Sequence, residues 1–430
     1  MVRMAILSGV LTLAAATASA ATILVDLEGH GDHLTIQEGL NAAVSGDTVV
    51  VAPGVYSGPL NRDIDFGGRR VKLVSSDGSE STIIDCQSAG RAFAFSNGET
   101  RDAVVRDLTV RNGYAVEGGA VRLYEASPAF IGCVFEDNVG EFGGAFYVGR
   151  SSETSIEWCE FTDNTAEKYG GAIYAHGSRP YVYECGFTGN SSAISGGAIS
   201  CKSWTVSSIY NCRFTGNSSL DGGAVYVATL YGWDQWEWDT TRVGFCWFAE
   251  NTADRGGALL VRAFSQVDVV WSSFVRNSAE QGGAAYCETD AEGSVRFQSC
   301  SMLYNNAEYG GGLCSSGFSY YNEVVLEQCL IAFSTEGSSL LRRDYSRVTA
   351  DLCLAYGNAG GDALYGTRNQ FTDPLLCDVY SDDFNLCENS PCRGANNEWG
   401  FLVGSYRLVC GECGSQVREA SWGSIKALYR

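Results

Sequence analysis

Within the eight residues from Tyr231 to Trp238 the chain places Tyr231, Trp233, Asp234, Trp236, Glu237 and Trp238. Aromatic rings stack on the apolar faces of sugars, and carboxylates between them can accept bonds from hydroxyls. The segment is therefore a candidate for ligand binding. The competing reading is a loop folded down over a sheet with its tryptophans partly covered. A second set of residues could do acid–base chemistry. Asp137 and Asp163 occupy the same place in successive sequence repeats, Glu250 the equivalent place further on, and Arg276 the place after that. Carboxylates beside a basic group are the raw material for metal-assisted proton transfer. An acidic chain offers such coincidences freely, however, and no acidic cluster gathers beside one arginine. Three histidines, His30, His33 and His176, leave little for histidine chemistry. There is no His-Glu zinc motif, nucleophile elbow or phosphate-binding glycine loop, so no metal site and no cofactor is expected.

These residues are set on a repeat. Gly-Gly-Ala or a close variant begins at Gly118, Gly143, Gly170, Gly196, Gly222, Gly256, Gly282 and Gly310. Each is preceded by an asparagine: Asn112, Asn138, Asn164, Asn190, Asn217, Asn251, Asn277 and Asn305, most of them in Phe-x-x-Asn. Spacings run from 25 to 28 residues, with one of 34. Such a period implies stacked identical units, none able to bury its apolar face alone. Length varies only between the glycine motif and the next Cys or Ser, so insertions enter at one corner of each coil, where binding loops collect.

Within a unit, Cys159 and Phe161 alternate with polar residues and share one face of a strand. After the glycines, Val121, Phe146, Ile173, Ile199, Val225, Leu259 and Leu313 must point inward. The next position reads Arg122, Tyr147, Tyr174, Ser200, Tyr226, Leu260 and Tyr286, an outward stripe. Tyr147, Tyr174, Tyr226 and Tyr286 could extend a binding surface, although aromatic ladders also stabilise a sheet with no ligand. Short strands, turn residues and no helical period predict an all-β, single-stranded right-handed parallel β-helix, a solenoid, the hand following from parallel crossovers. Leu34 to Ala43 has helical apolar spacing and is expected to cap the open end. Thr48 to Val51, Val71 to Val74, Thr82 to Asp85 and Val104 to Val110 supply the first strands.

Met1 to Ala20 reads as a secretory signal, with Arg3, a small apolar stretch and Ala18-Ser19-Ala20. No later run is long enough to span a bilayer. The expected divisions are 1–20 signal, 21–103 N-terminal cap and first coils, 104–370 regular repeats, 371–414 a Cys-rich, disulfide-bonded C-terminal cap, and 415–430 a tail, read as a short helix docked on the end coil, with a sorting signal the alternative. The net charge of −21 argues against nucleic acid, which needs a basic footprint. Seventeen cysteines fall into two kinds. Cys133, Cys159, Cys185, Cys212, Cys246, Cys300, Cys329 and Cys353 recur once per coil. Adjacent coils stand about 4.8 Å apart, farther than the ~3.8 Å between Cβ atoms that a disulfide prefers, so these are expected to remain buried thiols. In the tail, Cys377 with Cys387 and Cys392 with Cys410 are the expected bridges, with zinc at Cys410 and Cys413 the lesser alternative.

Gly-Gly-Ala-aliphatic with Phe-x-x-Asn over roughly residues 104 to 360 resembles the repeat of bacterial polymorphic outer membrane proteins. Thr35-Ile36-Gln37-Glu38 through Ala52-Pro53-Gly54-Val55-Tyr56 resembles the N-terminal cap of the pectin-lyase-like superfamily. Asp373-Pro374 through Ser390-Pro391-Cys392 looks like the closing coil of secreted β-helix proteins. The resemblance implies a surface or secreted, adhesin-like protein, probing a polysaccharide or cell-surface partner and monomeric. It also implies, as an alternative, a polysaccharide lyase or hydrolase, in which acidic residues hold calcium against a uronate. A structural spacer is the third reading.

Overall fold

The computed structural model describes residues 20–229, 240–289, 293–317, 323–379, 383–406 and 410–413. The chain winds as a right-handed parallel β-helix. In one coil it passes through Ser155–Glu157, Glu160–Thr162, Thr165–Tyr169 and Ile173–His176 before returning above its start. Stacked coils make four sheets. Sheet A has 13 strands, from Thr22–Val25 to Arg347–Asp351; sheet B has 12, from Gly54–Tyr56 to Leu354–Tyr356; sheet C has 10, from Phe93–Phe95 to Leu340–Arg342. The short sheet D lies between B and C and begins at Tyr114–Glu117. Register is residue for residue, so Phe161 pairs with Phe187 and Ile173 with Ile199.

Alternation fills the interior. Phe161, Phe187, Phe214, Phe248 and Phe274 form a stack with ring centroids 4.7 Å to 4.8 Å apart and planes within 6°. The thiol column stands beside it. All eight per-coil cysteines are buried and unbridged, as the spacing argument requires. Their thiols lie against backbone carbonyls, as Cys185 does with Ile156 O at 3.4 Å.

Between sheets B and D the corner is closed by a ladder of asparagines. The Asn190 backbone N–H and Nδ2 both donate to Asn217 Oδ1 at 3.0 Å, and Nδ2 also donates to Phe161 O at 2.9 Å. The pattern runs from Asn138 through Asn305, every member fully buried. Asn112 is not part of it. Asn112 aligns with Asp137 in a left-handed turn at φ 53°, and Gly113 holds the ladder place, donating its N–H to Asn138 Oδ1. The ladder ends there, Asn138 Oδ1 accepting the Gly113 N–H and no side-chain amide.

The N-terminal helix spans Ile36–Ala42, with Ile36 and Leu40 buried. A Cβ on Gly39 would collide with Val25, so the glycine lets the helix lie on the first coil. The solenoid starts one coil earlier than expected, since Thr22–Val25 pairs with Thr48–Val51. The stretch Val104 to Val110 is two strands, Val104–Arg106 and Thr109–Arg111, broken by a left-handed corner at Asp107.

The C-terminal cap is described over residues 371–379 and 383–406. They run back along the outer face of sheet B, where Leu376, Phe384, Leu386 and Val403 pack on Val275, Leu303, Leu330 and Leu354. The Ser405 N–H donates to Ser301 Oγ at 2.9 Å. The disulfides are Cys377–Cys410 and Cys387–Cys413, with Cα atoms 5.9 Å and 5.7 Å apart. This corrects the expected Cys377–Cys387 and Cys392–Cys410 pairs. The hairpin of Leu376–Asp378 with Asp383–Leu386 brings Cys377 and Cys387 each to a partner in the Cys410–Cys413 segment. Cys392 instead lies fully buried in the apolar cluster, a small hydrophobe. The expected tail helix and most of the signal segment lie outside the described residues.

Replacing Asn217 with Ala strips Asn190 of its acceptor and leaves buried donors unpaired. The expected cost is about 2–4 kcal/mol, read as a lower urea midpoint. Asn112→Gly, outside the ladder, loses only the bond its Nδ2 donates to Asp85 Oδ1 at 3.0 Å, and should cost no more than about 1.5 kcal/mol. Equal effects at the two positions would remove the ladder from the stability account.

Candidate functional site

The tyrosine stripe on sheet C is not a surface. Tyr174, Tyr226 and Tyr286 are 6%, 6% and 4% exposed, and Tyr147 is half-buried. The cause is the glycine doublet. Gly170 is left-handed at φ 65°, and a Cβ on Gly171 would collide with Gly197 of the next coil. The chain can therefore fold sharply, laying the residues before the doublet over those after it. The rings of Phe142 and Tyr169 each sit 5.6 Å from that of Tyr174. Further along, Asp221 and Arg255 cover the same groove, joined by two 2.8 Å bonds. Arg262 holds the buried Glu288 at 2.8 Å. Lys202 lies over Tyr169 and Tyr226, Nζ 3.1 Å and 5.2 Å from the ring centroids. Burial lowers its ammonium from 10.5 to about 8, Asp221 opposing the shift.

The carboxylate set does share one column, as the repeat implies, at the left-handed corner between sheets B and D. Asp137, Asp163, Glu250 and Arg276 have φ of 54°, 53°, 59° and 53°. They do not converge. Gly189 and Gly216 separate Asp163 from Glu250, the Asp163 carboxylate lies over Gly189, and Arg276 packs on the Phe384 ring at 5.6 Å. Among the described residues the one tight group of metal-ligating type is Cys377, Cys387 and Cys410, whose sulfurs are used in disulfides. Tyr231, Trp233, Asp234, Trp236, Glu237 and Trp238 lie outside the described residues.

A different aromatic surface is exposed on sheet A and its corner with sheet B. Trp158 and Phe245 are 50% and 53% exposed, and Trp271 is half-buried. All three are in left-handed turns, at φ 53°, 56° and 49°. Tyr181, Tyr183 and Tyr210 continue the surface on the outward positions of neighbouring strands. Tyr181 and Tyr183 stack with centroids 6.0 Å apart, Trp158 meets Tyr183 edge-on at 6.1 Å, and Trp158 Nε1 donates to Glu184 Oε2 at 2.6 Å. The sequence reading missed these rings. Their signal was present: Trp158, Phe245 and Trp271 each stand directly before the per-coil Cys or Ser. The insertion corner, between sheets C and A, borders the other edge of this sheet.

A profile of the family described as right handed beta helix region matches residues 73–248. No curated protein matches the sequence. Among solved structures the chain is similar to a pectate lyase, Pel9A, at 12% identity over 91% of this chain and 97% of that one, with a TM-score of 0.44. It is similar to XylC in complex with xylose at 8% identity over 83% and 87%, TM-score 0.48. A third is the catalytic domain of a GH87 alpha-1,3-glucanase bound to nigerose, at 14% identity over 79% and 66%, TM-score 0.44. At such identities activity and substrate do not transfer. Among the described residues no helix is long and apolar enough to cross a membrane.

Lys202 supplies a pH test of the sheet C groove. Between about pH 8 and 10.5 the unfolded chain keeps a proton that the folded one has released, so folding gains stability as pH rises. Below pH 8 the charged, half-buried amine weakens the fold. Lys202→Met should melt higher than the parent at pH 7, with the gap closing toward pH 10. A gap independent of pH would show that burial does not govern this amine.

Proposed function

We propose that this chain is an exported β-helix that binds polysaccharide along the outer face of sheet A without turning it over, displayed at or released from a bacterial surface in the manner its Gly-Gly-Ala repeat suggests. The observation that carries the reading is the exposed aromatic run. A bulky residue in a left-handed turn costs roughly 1–3 kcal/mol, and Gly132 occupies the same corner at φ 63° without that cost. Trp158 and Phe245 stand there with half of each side chain open to solvent. Exposed rings in a row, with hydrogen-bonding groups such as Glu184 and the tyrosine hydroxyls beside them, suit sugar faces. Trp158→Ala and Phe245→Ala should each weaken retention in polysaccharide affinity gels by about tenfold. Trp158→Gly should lose retention and fold no less stably. Retention equal to the parent, on a glycan the parent binds, would end this reading.

One observation favours a lyase instead. Arg242, Asp268 and Arg296 pair in a single outward column of sheet A, with Arg296 held to Glu327 at 2.6 Å. Arg242 and Arg296 on that face could bind the carboxylates of a uronate polymer, with Asp268 between them as the group that takes the proton. Incubation with uronate polymers and calcium decides between them. Binding predicts no rise in absorbance from unsaturated chain ends; a rise abolished by Asp268→Asn would establish the lyase.

A further inference from the structure

A surface cleft of about 370 Å³ opens at the N-terminal end of sheet A, lined by Arg70, Lys72 and Arg101 together with Ser45, Gly46 and Asp102. Arg70, Lys72 and Arg101 are exposed, and none forms an ion pair with a described residue. In a chain with 29 basic against 50 acidic residues, three such cations around one cleft and a single carboxylate are a local reversal of charge. Arg101 is tethered by Nε donating to Glu153 O at 3.3 Å, and the Arg70 N–H donates to Ser45 Oγ at 3.1 Å, so the rim is braced.

The cleft and the aromatic run share one face. Lys72, Val104, Ala129, Ser155 and Tyr181 are a single register column of sheet A, alternate to its core positions, with the small Ala129 and Ser155 covered between Lys72 and Tyr181. Lys72 therefore stands four coils from Tyr181, about 19 Å along the axis. Arg106, exposed on the strand of Val104, adds a cation on that path.

We infer that the cleft is an anion subsite for a polysaccharide bearing sulfate esters or carboxylates, whose further residues lie over Trp158, Tyr181 and Tyr183. The inference rests on the carbohydrate reading and names the class of glycan. Guanidinium forks fit both kinds of oxyanion. The negative field of the remaining chain repels a polyanion, so it can be accepted only where these cations gather, and its orientation along the solenoid is set by them.

The mature chain is tested by affinity electrophoresis on dextran sulfate, polygalacturonate and unmodified dextran, beside R70Q/K72Q/R101Q and W158A/F245A. The parent is expected to bind one of the two polyanions, which identifies the charged group. R70Q/K72Q/R101Q should bind it at least about tenfold more weakly, and added salt should weaken the parent likewise. Failure of the parent to bind either polyanion, or equal binding by R70Q/K72Q/R101Q, overturns the subsite. Loss of polyanion binding in R70Q/K72Q/R101Q with none in W158A/F245A would keep the cleft and overturn the aromatic reading.

Discussion

Every coil depends on the one above it for its hydrogen bonds. A parallel strand has no partner within its own coil, and corner residues likewise bond to the next coil, as the Asp163 N–H does to Thr188 O at 3.0 Å, so the backbone is satisfied only when the period is kept to the residue. The asparagine ladder is the strictest expression of this. From Asn164 onward each Oδ1 accepts from both the backbone and the side chain of the coil below, and each Nδ2 reaches back to a carbonyl. A one-residue slip would bury four polar groups without partners. The phenylalanine stack and the thiol column then follow, because like residues at one register place must meet.

Rigidity at those places leaves variation to others. The glycine doublet permits the sharp fold that hides the tyrosines of sheet C, and it ties Asp221, Arg255, Arg262 and Glu288 into a covered ionic network. The corner between sheets A and B is under no such demand. It accepts Gly132, Glu184, Asn211, Trp158 and Phe245 alike, all left-handed. Freedom of residue type at a fixed backbone position is where a surface can be selected for what it meets outside.

How much was legible follows from the same division. Features that repeat with the period were readable: the coil, the inward faces, the unbridged cysteines, the shared column of Asp137 and Asp163. Features that depend on how one part of a coil folds over another were not. Tyr174 and Tyr226 alternate outward from sheet C as the pattern says, yet sequence spacing does not report that Tyr169 and Asp221 close over them. Asn112 looked like a ladder member because a single residue of offset is invisible in a motif of four. The disulfides were misassigned because the tail has no period to read. Trp158 and Phe245 do not stand out in the sequence, because the residue preceding each per-coil cysteine varies from Gly132 to Glu184 and Asn211 and so carries no period.

The returning segment on sheet B carries a consequence for how the molecule comes to be made. Coils can add one upon another as the chain emerges, each templated by its predecessor. The apolar strip of Val275, Leu303, Leu330 and Leu354 stays bare throughout that growth, for its cover is encoded downstream. The seam that closes this strip is therefore the last stretch of the described chain to be synthesised, and sulfur fastens it.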